Sequence, residues 1–498
     1  MVLKNGYIYY KYQNRRMRIR FDTRILPKLR KKGLDIMELK TLNGMLLRPL
    51  YDFQLQAVSH FQNRGGFVLA DEMGLGKTLS AIACITSAQS RKSLVVCPAS
   101  VKYQWEKEII KSTKKQYQIF IAEGRNPTAI DRAMVRCSDI VIINYDILQG
   151  WAGVFIESYW DIMVLDEAHK IKNKESQRAR AAERIKQRVE QTICLTGTPI
   201  TDRNLDVWNV VNMADTNVFP SYWQFRKIFC TGLGARQSVN TKGLHETLVN
   251  SGVMLRRRKE DVFDELPEVT HTVIPLKLSS VELTEAENNV MNASREVDSA
   301  RGSNIGQSMI NLRGQIAKYR QETMKLKLKH IVDWIKDFLE SSDQKLMVAC
   351  IHREFGGKAI HKHFPDNSVL IDGDLSAKQK ETAKNKFIND PDCRLVIGNI
   401  LSVGTGTDGL QKVCSDLLYA ELDWSPANMN QCTARLDRHG QKKPVSVSYV
   451  VVKDSIEEYL ARTLDRKGDV VAGVLDDEKL AKEKTLMHLM NQYLGGTR

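Results

Sequence analysis

An α/β fold in two lobes, each built on a parallel sheet, is what this 498-residue sequence predicts. Three observations carry the prediction. Short apolar runs come in two sets. The first set is Phe67–Ala70, Leu94–Pro98, Ile140–Tyr145, Ile162–Leu165 and Thr192–Leu195; the second is Leu346–Cys350, Ser368–Ile371, Arg394–Ile397, Leu417–Leu422 and Val445–Val452. Amphipathic stretches of helical length separate the runs within each set. Between the sets, about 202–340 is rich in long charged side chains and poor in strand-like runs.

Each element has its reason. Continuous apolar runs of four to eight residues read as strands buried on both faces, and their alternation with helices reads as parallel strand–helix–strand units. The segment between the sets reads as mostly helical. Near the start, Tyr7-Ile8-Tyr9-Tyr10-Lys11-Tyr12 and Arg16-Met17-Arg18-Ile19-Arg20 alternate with period two, as in a small basic hairpin. The predicted organisation is a basic, β-rich module at 1–47, a first lobe at 48–201, helical protrusions and a linker at 202–325, a second lobe at 326–470, and a charged helical brace at 471–498.

Composition narrows the functional classes. Hydrophobic residues are 42% and charged residues 27%, ordinary for a globular protein. The formal charge of +15 favours polyanionic partners. Residues 1–48 hold 13 Lys/Arg against 3 Asp/Glu, so most of the excess lies in the first tenth of the chain. That arm is either a nucleic-acid contact or a solvated surface. The nine cysteines show no Cys-x-x-Cys spacing and no zinc-like cluster with histidine. Most sit in apolar runs, which fits a reducing compartment, either the cytoplasm or the nucleus of a eukaryote. The start lacks the apolar core of a signal peptide, and no apolar run reaches membrane-spanning length. A monomer without a membrane role is expected.

Residues 71–78, DEMGLGKT, follow a predicted strand and precede a predicted helix. Glycines there let backbone N–H groups approach phosphates, and the helix N-terminus adds its dipole. Lys77 would reach the β- and γ-phosphates of a nucleotide, and the Thr78 hydroxyl would ligate Mg²⁺. The strict phosphate-loop pattern wants glycine where Asp71 stands, so a glycine-containing helix start is the alternative. Eighty-nine residues after Lys77, the run Ile162–Leu165 leads into Asp166-Glu167-Ala168-His169. A carboxylate at the carboxyl end of a buried strand lies beside the phosphate loop. Asp166 would hold Mg²⁺ through water, and Glu167 would orient and deprotonate the attacking water; the alternative is a helix N-cap. In the second lobe, Gln431-x-x-x-Arg435-x-x-Arg438-x-Gly440-Gln441 would set two arginines on one helical face. They could cross a cleft to a γ-phosphate, or form an exposed basic face.

Together these motifs resemble the Swi/Snf-type ATPases of helicase superfamily two. Leu50-Tyr51-Asp52-Phe53-Gln54 resembles that family's adenine-reading glutamine motif, and Asp71 is normal in its phosphate loop. Val95-Val96-Cys97-Pro98-Ala99-Ser100 with Trp105 resembles motif Ia, Asn144-Tyr145-Asp146 motif Ib, and Leu195-Thr196-Gly197-Thr198-Pro199 motif III. Residues 255–262 and Leu266-Pro267 resemble its LRRxKxDV…LP signature. Ile371-Asp372-Gly373 and Asp423-Trp424-Ser425-Pro426 match second-lobe motifs, and Tyr419-Ala420-Glu421-Leu422 is similar to the annealing-helicase, HARP-like branch. Three positions depart from the pattern: Asp408 within Gly404–Leu410, Lys380 in place of arginine, and His439 in place of isoleucine.

The resemblance implies two RecA-like lobes and an ATP-dependent translocase on double-stranded DNA. It implies ATP contacts from Phe53, Gln54, Met73, Gly74, Leu75, Gly76, Lys77, Thr78 and Gln431; Asp408, at a departing position, could bind ribose. Catalysis would rest on Lys77, Asp166, Glu167, Arg435 and Arg438. Thr196, Gly197 and Thr198 would couple ATP to DNA. Ser100 and Asn144 would contact DNA phosphate, and Trp424 would either line the path or be a structural tryptophan. Arg15, Arg16, Arg18 and Arg20 would hold phosphates of branched DNA beside the stacking faces of the tyrosines. No segment reads as a nuclease or histone reader. Fork regression, branch migration or annealing is therefore the expected work. The alternative is a motor that strips a protein, such as a polymerase, from DNA. Intact motif residues weigh against a non-catalytic scaffold.

Overall fold

The computed structural model describes residues 2–4, 7–12, 15–20, 44–200, 203–232, 237–262, 267–278, 280–299, 304–404, 408–438, 440–453, 455 and 457. The expected brace at 471–498, Leu266 of the signature, residues 405–407 and His439 lie outside the described residues.

At the start, β1 (Val2–Lys4), β2 (Tyr7–Tyr12) and β3 (Arg15–Arg20) form a three-stranded antiparallel sheet. The expected hairpin is thus extended by one strand. Its register sets Tyr7, Tyr9 and Lys11 opposite Arg20, Arg18 and Arg16.

The first lobe holds β4 (Phe67–Leu69), β5 (Ser93–Cys97), β6 (Ile119–Ile121), β7 (Ile140–Asn144), β8 (Trp160–Asp166) and β9 (Val189–Leu195). A short ribbon of β10 (Cys230–Thr231) and β11 (Gln237–Ser238) follows, and β12 (Met254–Leu255) returns to the sheet. The order is β12-β4-β9-β8-β5-β7-β6, with every pair parallel. All residues of β5 and β7 are buried, as helices on both faces require. Two apolar layers cover the faces: one centred on Trp151, Phe155 and Trp160, the other on Phe61, Ile82 and Trp105.

The second lobe holds β13 (Val269–Leu276), β14 (Lys345–Cys350), β15 (Ser368–Ile371), β16 (Leu395–Asn399), β17 (Cys414–Tyr419) and β18 (Val445–Val452). Their order is β13-β18-β17-β14-β16-β15, again all parallel. The five runs expected in each lobe are strands of its sheet. β13 falls in the segment read as mostly helical. It is an edge strand whose exposure alternates, and an edge tolerates Pro275, which lacks an N–H. The same segment carries helices at Leu205–Ala214, Tyr222–Phe229, Thr241–Asn250 and Val281–Ser299, and the start of the 38-residue helix Asn304–Ser341. Lys327 pins that last helix to the second sheet. Its buried ammonium donates to the carbonyl of Val450 at 2.6 Å and to both Glu457 oxygens at 2.9 and 3.0 Å.

Strand order places the chemistry. β9 lies between β4 and β8, so the loops after these three strands share one end of the sheet. Residues 70–76, 196–198 and 167 lie in those loops, and Asp166 ends β8 beside them. The carboxyl end of a parallel sheet is where such folds bind ligands.

Candidate active site

The phosphate-loop segment turns on two glycines with left-handed backbone, Gly74 at φ 92° and Gly76 at φ 73°. Side chains rarely adopt these values. Gly76 directly precedes the helix Lys77–Ser87, whose free N–H groups therefore open onto the loop. The Lys77 ammonium donates to the carbonyls of Asp71 and Glu72 at 2.7 and 3.2 Å. Burial lowers its pKa, against the pull of Glu167, Asp71 and Asp166. Thr78 follows in the first helical turn, half-buried. Leu75 is buried, and its carbonyl accepts from the Gln54 amide at 3.4 Å. The other end of Gln54 accepts the N–H of Tyr51 at 3.0 Å. The glutamine motif is thereby fastened to the loop, with Phe53 stacked on Tyr51 at 5.5 Å.

Asp71, the residue that breaks the strict glycine pattern, is fully buried and forms a two-pronged ion pair with Arg257 at 2.8 and 2.5 Å. Arg257 also donates to the carbonyl of Phe53, and its guanidinium lies 5.5 Å from the Phe53 ring. Its position 186 residues downstream leaves no local signal. Removing one partner of a buried pair strands the other charge, which costs about 3–5 kcal/mol. Arg257→Ala is therefore expected to lower the denaturation midpoint sharply. Adding Asp71→Asn should recover part of the loss, as a double-mutant cycle in urea would show. Additive losses would mean that the pair is energetically idle.

At the end of β8, the Asp166 carboxylate accepts the Trp105 indole N–H at 2.8 Å and the Glu167 N–H at 3.0 Å. Burial, and then the adjacent Glu167 carboxylate, push its pKa up. Tyr145 donates to the Asp166 carbonyl at 2.8 Å. Glu167 has left-handed backbone, φ 52°, a conformation costly for a side chain and often found at functional sites. One of its oxygens accepts the Gln431 amide of the second lobe at 2.8 Å. The other is buried without a hydrogen bond among the described residues, 3.3 Å from Nδ1 of His169. His169 in turn lies 3.5 Å from the Thr196 hydroxyl, which accepts the N–H of Thr198 at 3.1 Å. Gly197 leaves no room for a side chain, because a Cβ there would lie 2.6 Å from Met73 and 3.4 Å from the Lys77 ammonium. A continuous run of contacts thus joins the phosphate loop, Glu167 and residues 196–198.

The two arginines are not on a helical face. The helix Pro426–Thr433 ends before them, and residues 434–438 continue in tight turns, with Leu436 N–H bonded to the Thr433 carbonyl at 2.9 Å. One force acting on the segment is Lys259, which reaches across to the carbonyl and carboxylate of Asp437 at 2.6 and 2.5 Å. The Lys259 N–H donates to Glu72 at 2.7 Å, so one residue grips both the phosphate loop and the arginine segment. A Cβ on Gly74 would stand 3.0 Å from Cβ of Arg438. Both arginines donate to Asp408, Arg435 at 2.8 Å and Arg438 more closely. The Gln104 amide of the first lobe donates to the other Asp408 oxygen. Burial would raise its pKa, but Arg438 and Arg435 outweigh that and hold it low.

The DNA candidates are dispersed. Ser100 is half-buried in a short turn. Asn144 is buried, with its amide 3.4 Å from Asp146. Trp424 packs against the second-lobe core with the Arg320 guanidinium 6.0 Å from its ring. Arg15, Arg16, Arg18 and Arg20 belong to β3; their side chains lie outside the described residues. In the Tyr419–Leu422 run, Glu421 is buried and receives the N–H groups of Ile351 and His352 and the His352 ring, the ring at 2.6 Å.

Residues 14–371 match the family described as the SNF2-related domain. Among curated proteins, the chain is similar to the human "DNA annealing helicase and endonuclease ZRANB3", 27% identical over 457 residues, covering 88% of this chain and 41% of that protein. It is 26% identical over 454 residues to "SWI/SNF-related matrix-associated actin-dependent regulator of chromatin subfamily A-like protein 1" of Xenopus tropicalis, covering 86% of this chain and 45% of that protein. The chain thus spans less than half the length of these two relatives. A solved structure, "Sulfolobus solfataricus SWI2/SNF2 ATPase core in complex with dsDNA", is 24% identical with a TM-score of 0.42, covering 89% of this chain and 97% of that one.

Proposed function

This chain belongs to the SNF2-related domain family, and we propose that it is a DNA-dependent ATPase that translocates on double-stranded DNA and remodels branched DNA. The observation that carries the reading is the bond from Gln431 to Glu167. A residue of one lobe holds the candidate base of the other, so hydrolysis and lobe movement share an atom. The relatives' names support the choice of work, since one is an annealing helicase.

ATP and Mg²⁺ fit the residues present. Glu167 has a buried oxygen without a hydrogen bond among the described residues, which an attacking water would satisfy. The Asp166 carboxylate at the end of β8 and the Thr78 hydroxyl in the first turn after the phosphate loop are hard oxygen donors of the kind a divalent cation takes. Mg²⁺ needs few protein ligands, and Asp166 and Thr78 would hold it. When bound, Mg·ATP supplies the phosphoanhydride to be cleaved and part of the charge neutralisation. Lys77 would exchange its two carbonyl partners for phosphate oxygens. Glu167 would take the proton of water, with Gln431 fixing the orientation of its carboxylate. Arg435 and Arg438 would oppose charge that develops in the transition state. Thr196 and His169 would pass the state of Glu167 on toward the DNA path, to which Ser100 of the first lobe and Trp424 of the second would contribute.

Phosphate release with no DNA, linear duplex, a fork and a four-way junction tests the reading. Duplex should stimulate turnover, and branched DNA should stimulate it more. Absence of stimulation by any DNA would overturn the proposal. A response appearing only with a DNA-bound protein would favour the protein-stripping alternative.

Residues 1–47 are proposed to select branched DNA. Their support is the +10 charge of residues 1–48 and the register that sets tyrosines opposite arginines. Deleting 1–47 should leave duplex-stimulated hydrolysis in place and sharply reduce binding to junctions. Equal loss on both substrates would make the module a general clamp or a structural part of the first lobe.

A further inference from the structure

One carboxylate gathers the groups on which the proposed chemistry depends. Oδ1 of Asp408 accepts from Nη1 of Arg435 at 2.8 Å and from Nη1 of Arg438. Oδ2 accepts the Gln104 amide, carried by the first-lobe helix Lys102–Ser112. Arg435 also commits Nε to the Gly404 carbonyl at 2.7 Å. The arginine side chains are only 16% and 19% exposed, so few other anions reach them. Arg438 meanwhile lies against Gly74 of the phosphate loop.

These contacts have a consequence for any anion entering the cleft. A guanidinium N–H bonded to a carboxylate is not free for a phosphoryl oxygen, and both arginines offer the same kind of nitrogen to Asp408. The exchange is one anion for another. A γ-phosphate brings more charge and more acceptor oxygens than a carboxylate, so it can win, but only by first breaking charge-assisted bonds. The Gln104 bond ties that exchange to lobe position, because Asp408 and Gln104 belong to different lobes.

We infer that Asp408 is the resting counter-ion of Arg435 and Arg438, an internal competitor that the γ-phosphate must displace before turnover, and that Gln104 keeps it in place until the lobes move. The inference rests on the ATPase reading above and adds a restraint on DNA-independent hydrolysis. Movement of one lobe on the other would separate Gln104 from Asp408 and free the carboxylate to swing away. The arginines would then be available to phosphate.

The test uses the full chain and two variants. Asp408→Asn keeps the shape and removes the charge; Gln104→Ala removes only the brace. Phosphate release is measured without DNA and with saturating linear duplex, and affinity is measured with fluorescent ATP and ADP analogues. Both arginines give charge-assisted bonds to Asp408, which an amide at that position would weaken. Asp408→Asn should therefore raise DNA-free turnover about tenfold and lower the ratio of DNA-stimulated to DNA-free rate. It should also increase the preference for ATP over ADP. Gln104→Ala should move all three the same way by less. If Asp408→Asn reduces turnover and leaves or weakens the ATP preference, Asp408 aligns the arginines instead and the inference fails. Unchanged values overturn it as well. A wild-type chain that binds nucleotide and never hydrolyses it refutes the ATPase reading, while the ATP-to-ADP preference of the variants still decides the role of Asp408.

Discussion

Purified Glu167→Gln protein is expected to bind ATP and to lose nearly all DNA-stimulated hydrolysis. The substitution is close to isosteric, so the left-handed turn at residue 167 is no more strained than before. An amide oxygen can still accept the Gln431 bond at the lobe interface, so docking should persist. What is lost is the ability to take a proton from water. General-base catalysis contributes about 10²–10⁴-fold, and the loss falls on kcat because the base acts on the reacting water. Lys77, Thr78 and Asp166 stay in place, so nucleotide affinity should change little. Lys77→Ala gives a useful contrast. It removes a charge meant for the phosphates and should weaken binding as well as turnover. Steady-state phosphate release beside an equilibrium titration with fluorescent ATP separates the two patterns. Near-normal turnover by Glu167→Gln protein would remove Glu167 from the role of base.

Which parts of this were visible in the sequence follows from the range of the forces. Buried strands announce themselves because an element covered on both faces needs a continuous apolar run, and Leu94 to Cys97 or Ile140 to Ile143 leave no polar position to confuse the period. β12 and β13 lack that signature. β12 has two residues, and β13 lies at an edge where alternate side chains face out. The loop carrying Lys77 and the strand end carrying Asp166 are local motifs, and strand order alone brings them together. The partners of those motifs are not local. Nothing near Asp71 points to Arg257, and nothing near Asp408 points to Gln104, 304 residues away. An acid in a nucleotide motif invites a ribose reading for Asp408, and the sequence gives no sign of its ion partners. Its fate is decided by two cations that reach it only after the chain turns at Thr433. The three-residue spacing of Arg435 and Arg438 suggested a helix. The helix ends earlier, and turn geometry achieves the same convergence.

Arg438→Ala should reduce turnover by roughly 10³-fold or more, as loss of an arginine that opposes transition-state charge does elsewhere. ATP affinity should fall less than turnover, because the hold of the arginine on the γ-phosphate strengthens as charge develops. Arg438 is expected to matter more for chemistry than Arg435, and the surroundings say why. Its backbone abuts Gly74 of the phosphate loop, and its described bond is to Asp408, a partner it can exchange. Arg435 is anchored further by the Gly404 carbonyl, so Arg435→Ala should slow turnover and also loosen the segment around residue 404, lowering the thermal midpoint. Single-turnover hydrolysis, nucleotide titration and a melting curve for each variant distinguish these outcomes. Two alanine variants that both turn over normally would mean that the second lobe does not act on the phosphates held by the first. The double variants bind the argument together. If Asp408 restrains the reaction by occupying these arginines, then Asp408→Asn should accelerate DNA-free hydrolysis in the wild-type background and give no acceleration once Arg438 is alanine. A gain that survives loss of Arg438 would mean that Asp408 acts through Arg435 alone or through the position of Gln104, and the measured coupling between residues 408 and 438 would then fall to zero.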